Sequence, residues 1–124
     1  NAFYYKWESD LLTVDDDDLI HEFEIKCSRF DYLNDSKKTE KHKALNGDFD
    51  LAMIPNYFWY VHPEEINIDE VQEFAGHIIV IKRGMNYQIS ILKKAPQLHN
   101  IPIDRDAWQE LAKKLFYKLY YNNY

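Results

Sequence analysis

The chain has 124 residues, of which 46% are hydrophobic and 29% charged, an ordinary balance for a folded globular chain and wrong for a disordered one. Its length suits one domain spanning residues 1–124. A single cysteine excludes an internal disulfide framework, and no apolar run reaches the roughly 18–20 residues of a membrane span, so the chain reads as cytoplasmic with no membrane partner.

Charge is set out in blocks. The net value is −6, but residues 1–24 hold eight acids against Lys6, and residues 46–80 hold seven acids and no base. Residues 25–45 hold six bases and three acids, and residues 81–124 eight bases and three acids. Two basic segments can still offer a basic surface to a phosphate backbone, and they can equally form a mixed, solvated surface.

In chain order, the aromatic segment 3–7 reads as a short edge strand, and 9–14 as a strand. Asp15 to Asp18 form a polar turn, because four adjacent carboxylates in regular backbone do not converge on one ion. Segment 19–27 alternates, with Phe23, Ile25 and Cys27 on one face and Glu22, Glu24 and Lys26 on the other. The apolar face is expected to turn inward and to bury Cys27 as an unreactive thiol, and His21 shares the face of Phe23 as a satisfied histidine. The two strands and their acidic turn make a β-hairpin.

Ser28 is an N-cap signal, with Asp31 three residues on, and a helix carrying Phe30, Leu33, Lys37, Lys41 and Leu45 follows until Asn46-Gly47. Tyr57 to Val61 is an uninterrupted apolar run, as expected of a central strand covered on both faces. Its rings suit packing better than base stacking. Asp69 to Phe74 reads as a short helical stretch. His77–Lys82 and Tyr87–Leu92 read as strands joined near Gly84. His62, His77 and His99 show no zinc spacing. Asp104 caps a last helix with Trp108, Leu111, Ala112, Leu115 and Leu119 on one stripe. The aromatic end, Tyr117 and Tyr120 to Tyr124, is expected to dock on the domain or to form a homodimer. A helix between hairpin and central strand implies a crossover, so the fold class is α/β: a mixed β-sheet flanked by α-helices.

The hairpin brings three polar groups together. If positions summing to 34 oppose each other, Asp10 faces Glu24, with Cβ atoms roughly 4.5–5.5 Å apart. Two carboxylates at that spacing repel unless a cation lies between them, and Mg²⁺ (or Mn²⁺) suits such hard oxygen donors. Lys26, two residues from Glu24, leaves the same face and can orient a water or stabilise charge on a phosphate. The spacing fits equally a solvent-facing strand with a cross-strand ion pair. Arg29, in the first turn of the helix, can meet a phosphate or pair with Asp31. Lys37 and Lys41 share a helix face, with Lys38 beside them, and can follow a nucleic-acid backbone or face solvent.

An Asp at a strand end, an acidic turn and a strand reading E-x-K resemble the PD-(D/E)XK nuclease superfamily; here these are Glu8-Ser9-Asp10 and Glu24-Ile25-Lys26. The run Cys27-Ser28-Arg29-Phe30-Asp31-Tyr32, with Pro55 to Glu64, Ala75 to Ile78 and Lys94 to His99, is similar to the small MmcB-like branch of that superfamily. The resemblance covers about residues 4–100 and implies a restriction-endonuclease-like fold. It implies that Asp10, Glu24 and the Ile25 carbonyl bind the metal, that Lys26 serves the attacking water, and that the substrate is DNA, in repair, recombination or phage DNA processing. The alternative is a catalytically inactive nuclease scaffold that binds nucleic acid or a protein partner.

Overall fold

The computed structural model describes residues 10–35, 45, 54–110 and 112–113. The segment 3–7, Lys37, Lys38 and Lys41, the helix stop at Asn46-Gly47, and the stripe positions Leu111, Leu115 and Leu119 lie outside the described residues, as does the aromatic end.

Five strands form one mixed sheet in the order β1-β2-β3-β4-β5. They are β1 (Leu11–Val14), β2 (Ile20–Ile25), β3 (Tyr57–Pro63), β4 (Ala75–Arg83) and β5 (Asn86–Lys93). β1 and β2 are antiparallel, β2, β3 and β4 run parallel, and β5 returns antiparallel to β4. Helix α1 (Arg29–Asp35) lies between β2 and β3, and residues 105–110 are helical. The class is α/β, and the crossover between hairpin and central strand is present.

Local chemistry explains the hairpin. Asp15 Oδ1 accepts the N–H groups of Asp17 and Leu19 at 2.9 and 3.0 Å, and Asp18 takes a φ of 61°, a left-handed conformation that Asp tolerates better than most residues. The acidic run is therefore a self-bonded turn. Asp18 also anchors the distant C-terminal segment: its carbonyl accepts Ile103 N–H, and its carboxylate accepts Arg105 at 2.8 Å. Arg105 is held above its ordinary pKa by that hydrogen bond and charge.

β3 is the central strand, and its two faces bury separate clusters. On one face Phe58, Tyr60, Phe74 and Ala75 pack with Leu45 and Ile54. α1 covers part of this face through Tyr32, whose ring meets Tyr60 edge-on at 5.2 Å and whose hydroxyl donates to the Glu70 carbonyl. Ser28 Oγ accepts Asp31 N–H at 3.0 Å, so the predicted cap forms. On the opposite face Trp59, Ile78 and Ala95 pack with Phe23, Tyr57 and Val61. The chain after β5 lies so close here that a Cβ on Gly76 would run into the Trp59 ring and Ala95. Asn56, buried before β3, ties the layers. Its Oδ1 accepts Ile20 N–H, and its Nδ2 donates to the carbonyls of His99 and Ile101. Asp104 caps the last helical stretch, its Oδ1 accepting Asp106 and Ala107 N–H.

Two expectations need correction. Asp69 to Phe74 is not helical. The Glu70 carbonyl, which a helix here would use internally, accepts from the Tyr32 hydroxyl, and Lys93 Nζ holds the end of the segment through the carbonyls of Gln72 and Glu73. The second concerns β2. Its buried face is the one carrying Ile20, Glu22, Glu24 and Lys26, whereas Ile25 and Cys27 are exposed. The cause is β3, which is apolar on both sides. Tyr60 and Phe58 stand beside Glu24 and Glu22 on the face that α1 helps to cover.

Candidate functional site

The ladder pairs Leu11 with Phe23 and Leu12 with Glu22, so the register sums to 34 and its next step sets Asp10 opposite Glu24. Asp10 is half-buried just ahead of β1, and its Oδ2 accepts Ile25 N–H at 2.9 Å. Lys26 N–H donates to the Val61 carbonyl, which directs Lys26 toward β3 and turns the backbone groups of Ile25 the other way, toward Asp10. The Ile25 carbonyl and the Asp10 carboxylate therefore share one margin of β2.

Glu24 and Lys26 occupy the buried face at 7% and 5% exposure, and Lys26 Nζ donates to Glu24 Oε1 at 3.1 Å. Both side chains make further contacts, so neither depends on the other alone. An ion pair is thus present, but inside the protein and not on a solvent-facing strand. Removing two charges from water costs several kcal/mol per ion unless geometry and hydrogen bonds offset it. Glu22, fully buried on the same face, adds a third charge-bearing group.

The polar row continues across the sheet. Ile25 is level with Val61 and Tyr60 with His77, which brings His62 and His77 onto the face of Lys26. Both histidines are buried, and their Nε2 atoms lie 2.7 Å apart. His62 Nδ1 is 2.8 Å from the Pro63 carbonyl and must donate to it. His62 Nε2 is then the acceptor and His77 Nε2–H the donor. Burial, then the neighbouring His62 and Lys93, hold His77 below its ordinary pKa. No spacing rule finds this pair, because it exists only through the parallel β3–β4 register. Glu22 was within reach of the alternation pattern, being two residues from Glu24.

His21 lies on the other face as a satisfied side chain. It accepts from Trp59 Nε1–H on Nδ1, faces Asp15 with Nε2, and stacks on Tyr57 at 4.4 Å. Burial raises the Asp15 pKa, but the N–H groups of Leu19 and Asp17 and the ring of His21 outweigh it and leave the carboxyl below its usual value. His99 is likewise engaged, with Nε2 donating to the Ile54 carbonyl and Nδ1 accepting Ile101 N–H. Arg29, exposed at the first residue of α1, forms no ion pair among the described residues, so the alternative pairing with Asp31 is not used. The structure thus brings Asp10, Glu24, Ile25 and Lys26 together at one end of β2, with Arg29 following within one turn.

Among the described residues no three His, Cys, Asp or Glu side chains cluster as a metal site. The donor set at β2 is smaller, two carboxylates and a carbonyl, all hard oxygens of the kind that suits an ion retaining most of its water. Also among the described residues, no helix is long and apolar enough to cross a membrane.

No family model and no curated protein matches the chain. A solved structure, the SPO1766 protein of unknown function from Silicibacter pomeroyi, has a similar fold. The TM-score is 0.57 at 15% identity, over 95% of this chain and 74% of that chain. At that identity the likeness is one of fold alone.

Proposed function

We propose that the chain is a PD-(D/E)XK nuclease of the MmcB-like branch, with a restriction-endonuclease-like fold, that hydrolyses DNA phosphodiester bonds with Mg²⁺ or Mn²⁺. The observation that carries this reading is the placement of Asp10 opposite Glu24, with the Ile25 carbonyl turned to the same margin and Lys26 beside them. Asp10, Glu24 and the Ile25 carbonyl would hold the metal. The ion supplies charge neutralisation at the scissile phosphate and lowers the pKa of water. Lys26, donating to Glu24, fixes that carboxylate and keeps a positive charge beside the reacting phosphate. Attack of a water oxygen on phosphorus breaks the bond to the 3′ oxygen, which leaves with a proton as a 3′-hydroxyl, and the other end is a 5′-phosphate. Arg29 would meet a flanking phosphate, and Lys37, Lys38 and Lys41 would extend that contact along the backbone.

The test is cleavage of plasmid and linear DNA by the purified protein with Mg²⁺ or Mn²⁺, compared with Asp10→Asn. The amide oxygen can still accept Ile25 N–H, so the hairpin should stay folded while cleavage falls by at least about 100-fold, roughly the loss of one transition-state charge contact. Unchanged cleavage in the folded variant would end the nuclease reading.

One observation favours a second reading. Glu24 and Lys26 are already paired with each other inside the protein, an arrangement that suits a scaffold binding nucleic acid or a partner without cutting. Calorimetric titration separates the two: DNA binding with no divalent-metal uptake that depends on Asp10 selects the scaffold.

A further inference from the structure

β5 is the outermost strand of the described sheet and has β4 as its one neighbour. Exposed edges are usually blunted by charge, proline, short length or a covering segment. β5 spans eight residues; Asn86 to Ile91 are in regular register with β4 and hold no charge and no proline, while the ladder shifts between Ile91 and Lys93, where a bulge and Lys93 end the open stretch. Tyr87, Ile89 and Ile91 are exposed at 71%, 68% and 59%. Their partners on β4 are Lys82, Val80 and Ile78, so all three stand on the same face as Trp59 and Val61. Ala95 covers part of that face; at the Tyr87 end of β5 lies a depression of about 400 Å³ whose walls include Ile25, Val61, Val80 and Tyr87, with the charged Glu65 and Lys82 also lining it.

The backbone of this edge is set out for pairing. Gly84, with φ of 63°, opens the two-residue turn between Arg83 and Asn86, the position where a type II′ hairpin requires glycine. Such a turn makes Arg83 and Asn86 a hydrogen-bonded pair, and the alternation of an antiparallel ladder then directs the N–H and C=O groups of Tyr87, Ile89 and Ile91 away from β4.

We infer that β5 is a homodimer interface, pairing antiparallel with β5 of a second copy about a two-fold axis at Ile89. The occupant follows from the pattern Tyr87-Gln88-Ile89-Ser90-Ile91, which alternates identically in both directions. Centred on Ile89, it sets Tyr87 against Ile91 of the other copy, Ile89 against its own equivalent, and Gln88 against Ser90. Apolar meets apolar on one face and polar meets polar on the other. The five paired residues carry no charge, and Lys93 lies beyond the register shift that ends the regular stretch at Ile91. Six backbone hydrogen bonds, about two per outward-facing residue, close the ladder. The exposed rows of the two copies then lie side by side on one face of a continuous sheet. This inference goes beyond the nuclease reading and does not rest on it.

The test is sedimentation velocity of the full chain over a wide concentration range. A monomer–dimer equilibrium is expected. Ile89→Lys, at an exposed position that leaves the circular-dichroism spectrum unchanged, sets two ammonium groups opposite each other and weakens dimerisation at least about tenfold, since like charges directly opposed are destabilising. Independently, Ile89→Cys in a Cys27→Ser background should give a disulfide-linked dimer on mild oxidation, since hydrogen-bonded pairs hold Cα atoms about 5.5 Å apart, within disulfide reach. A wild-type chain that stays monomeric throughout overturns the inference, whether or not another protein binds the edge. So does a dimer that Ile89→Lys leaves intact.

Discussion

β2 and β5 invert the usual partition of residues in opposite directions. β2 buries Glu22 and Glu24, with Lys26 buried just after it, and leaves Ile25 half-exposed, whereas β5 exposes Tyr87, Ile89 and Ile91. Their positions account for the difference. β2 has a neighbour on each side and α1 following directly, so its polar groups are enclosed and need partners inside the protein. β5 has one neighbour, so its apolar side chains meet water at little cost to the fold and remain available to a partner. Buried charge of this kind costs stability that only a specific chemical arrangement offsets, and exposed apolar edge marks where a further surface fits. The two strands thus mark two different kinds of site in one sheet.

The sharpest way to break the comparison is to unbalance β2. Lys26→Met leaves Glu24 buried without its 3.1 Å donor, and breaking one side of a buried pair typically costs about 3–5 kcal/mol. Chemical denaturation should show a loss of that size. The double variant Glu24→Gln with Lys26→Met removes both charges and should recover most of it. If the single variant is as stable as wild type, the ion pair is not what holds this face of β2, and the contrast with β5 fails.

A smaller effect separates the strands by pH. His77 is buried against His62 and Lys93, and its folded pKa lies below the ordinary 6.5. The unfolded chain then takes up a proton that the folded state refuses. The corresponding stability is fully present above pH 6.5 and is lost as pH falls below it, at no more than about 1.4 kcal/mol per pH unit for one proton. Thermal melts from pH 8 to 5 should show this slope, and His77→Asn should flatten it. An equal slope in the variant would assign the loss to other histidines.

How much of this was legible in the sequence depends on the range of the forces involved. The hairpin was, because a strand and an alternating strand flank an acidic turn, but the register that pairs Asp10 with Glu24 stood there only as a condition, and the Asp15 hydrogen bonds that close the turn supply it. The central strand was, because Tyr57 to Val61 offers no polar side, and the caps at Ser28 and Asp104 are local chemistry. The inward face of β2 was not. Both of its faces find apolar neighbours on β3, so alternation alone says which residues stand together and not which set is covered. The same reason hid the exposure of Cys27. The His62–His77 pair and the loss of the helix at Asp69 to Phe74 depend on strand pairing and on Lys93 and Tyr32 reaching back across the sheet, and neither leaves a local signature.

The smallest expected effect lies at β5 itself. Ile89→Thr replaces an exposed aliphatic by another β-branched residue, so the intrinsic stability of one chain should change by no more than about 0.5 kcal/mol. Measured where the chain is dilute, wild type and variant should unfold together. Raising the concentration should lift the wild-type melting temperature more than that of the variant, because association stabilises whatever state associates. A difference already present at high dilution would mean that Ile89 packs within its own chain. The exposed row of β5 would then be part of the fold's own packing, and the division between an enclosed β2 and an unfinished β5 would disappear.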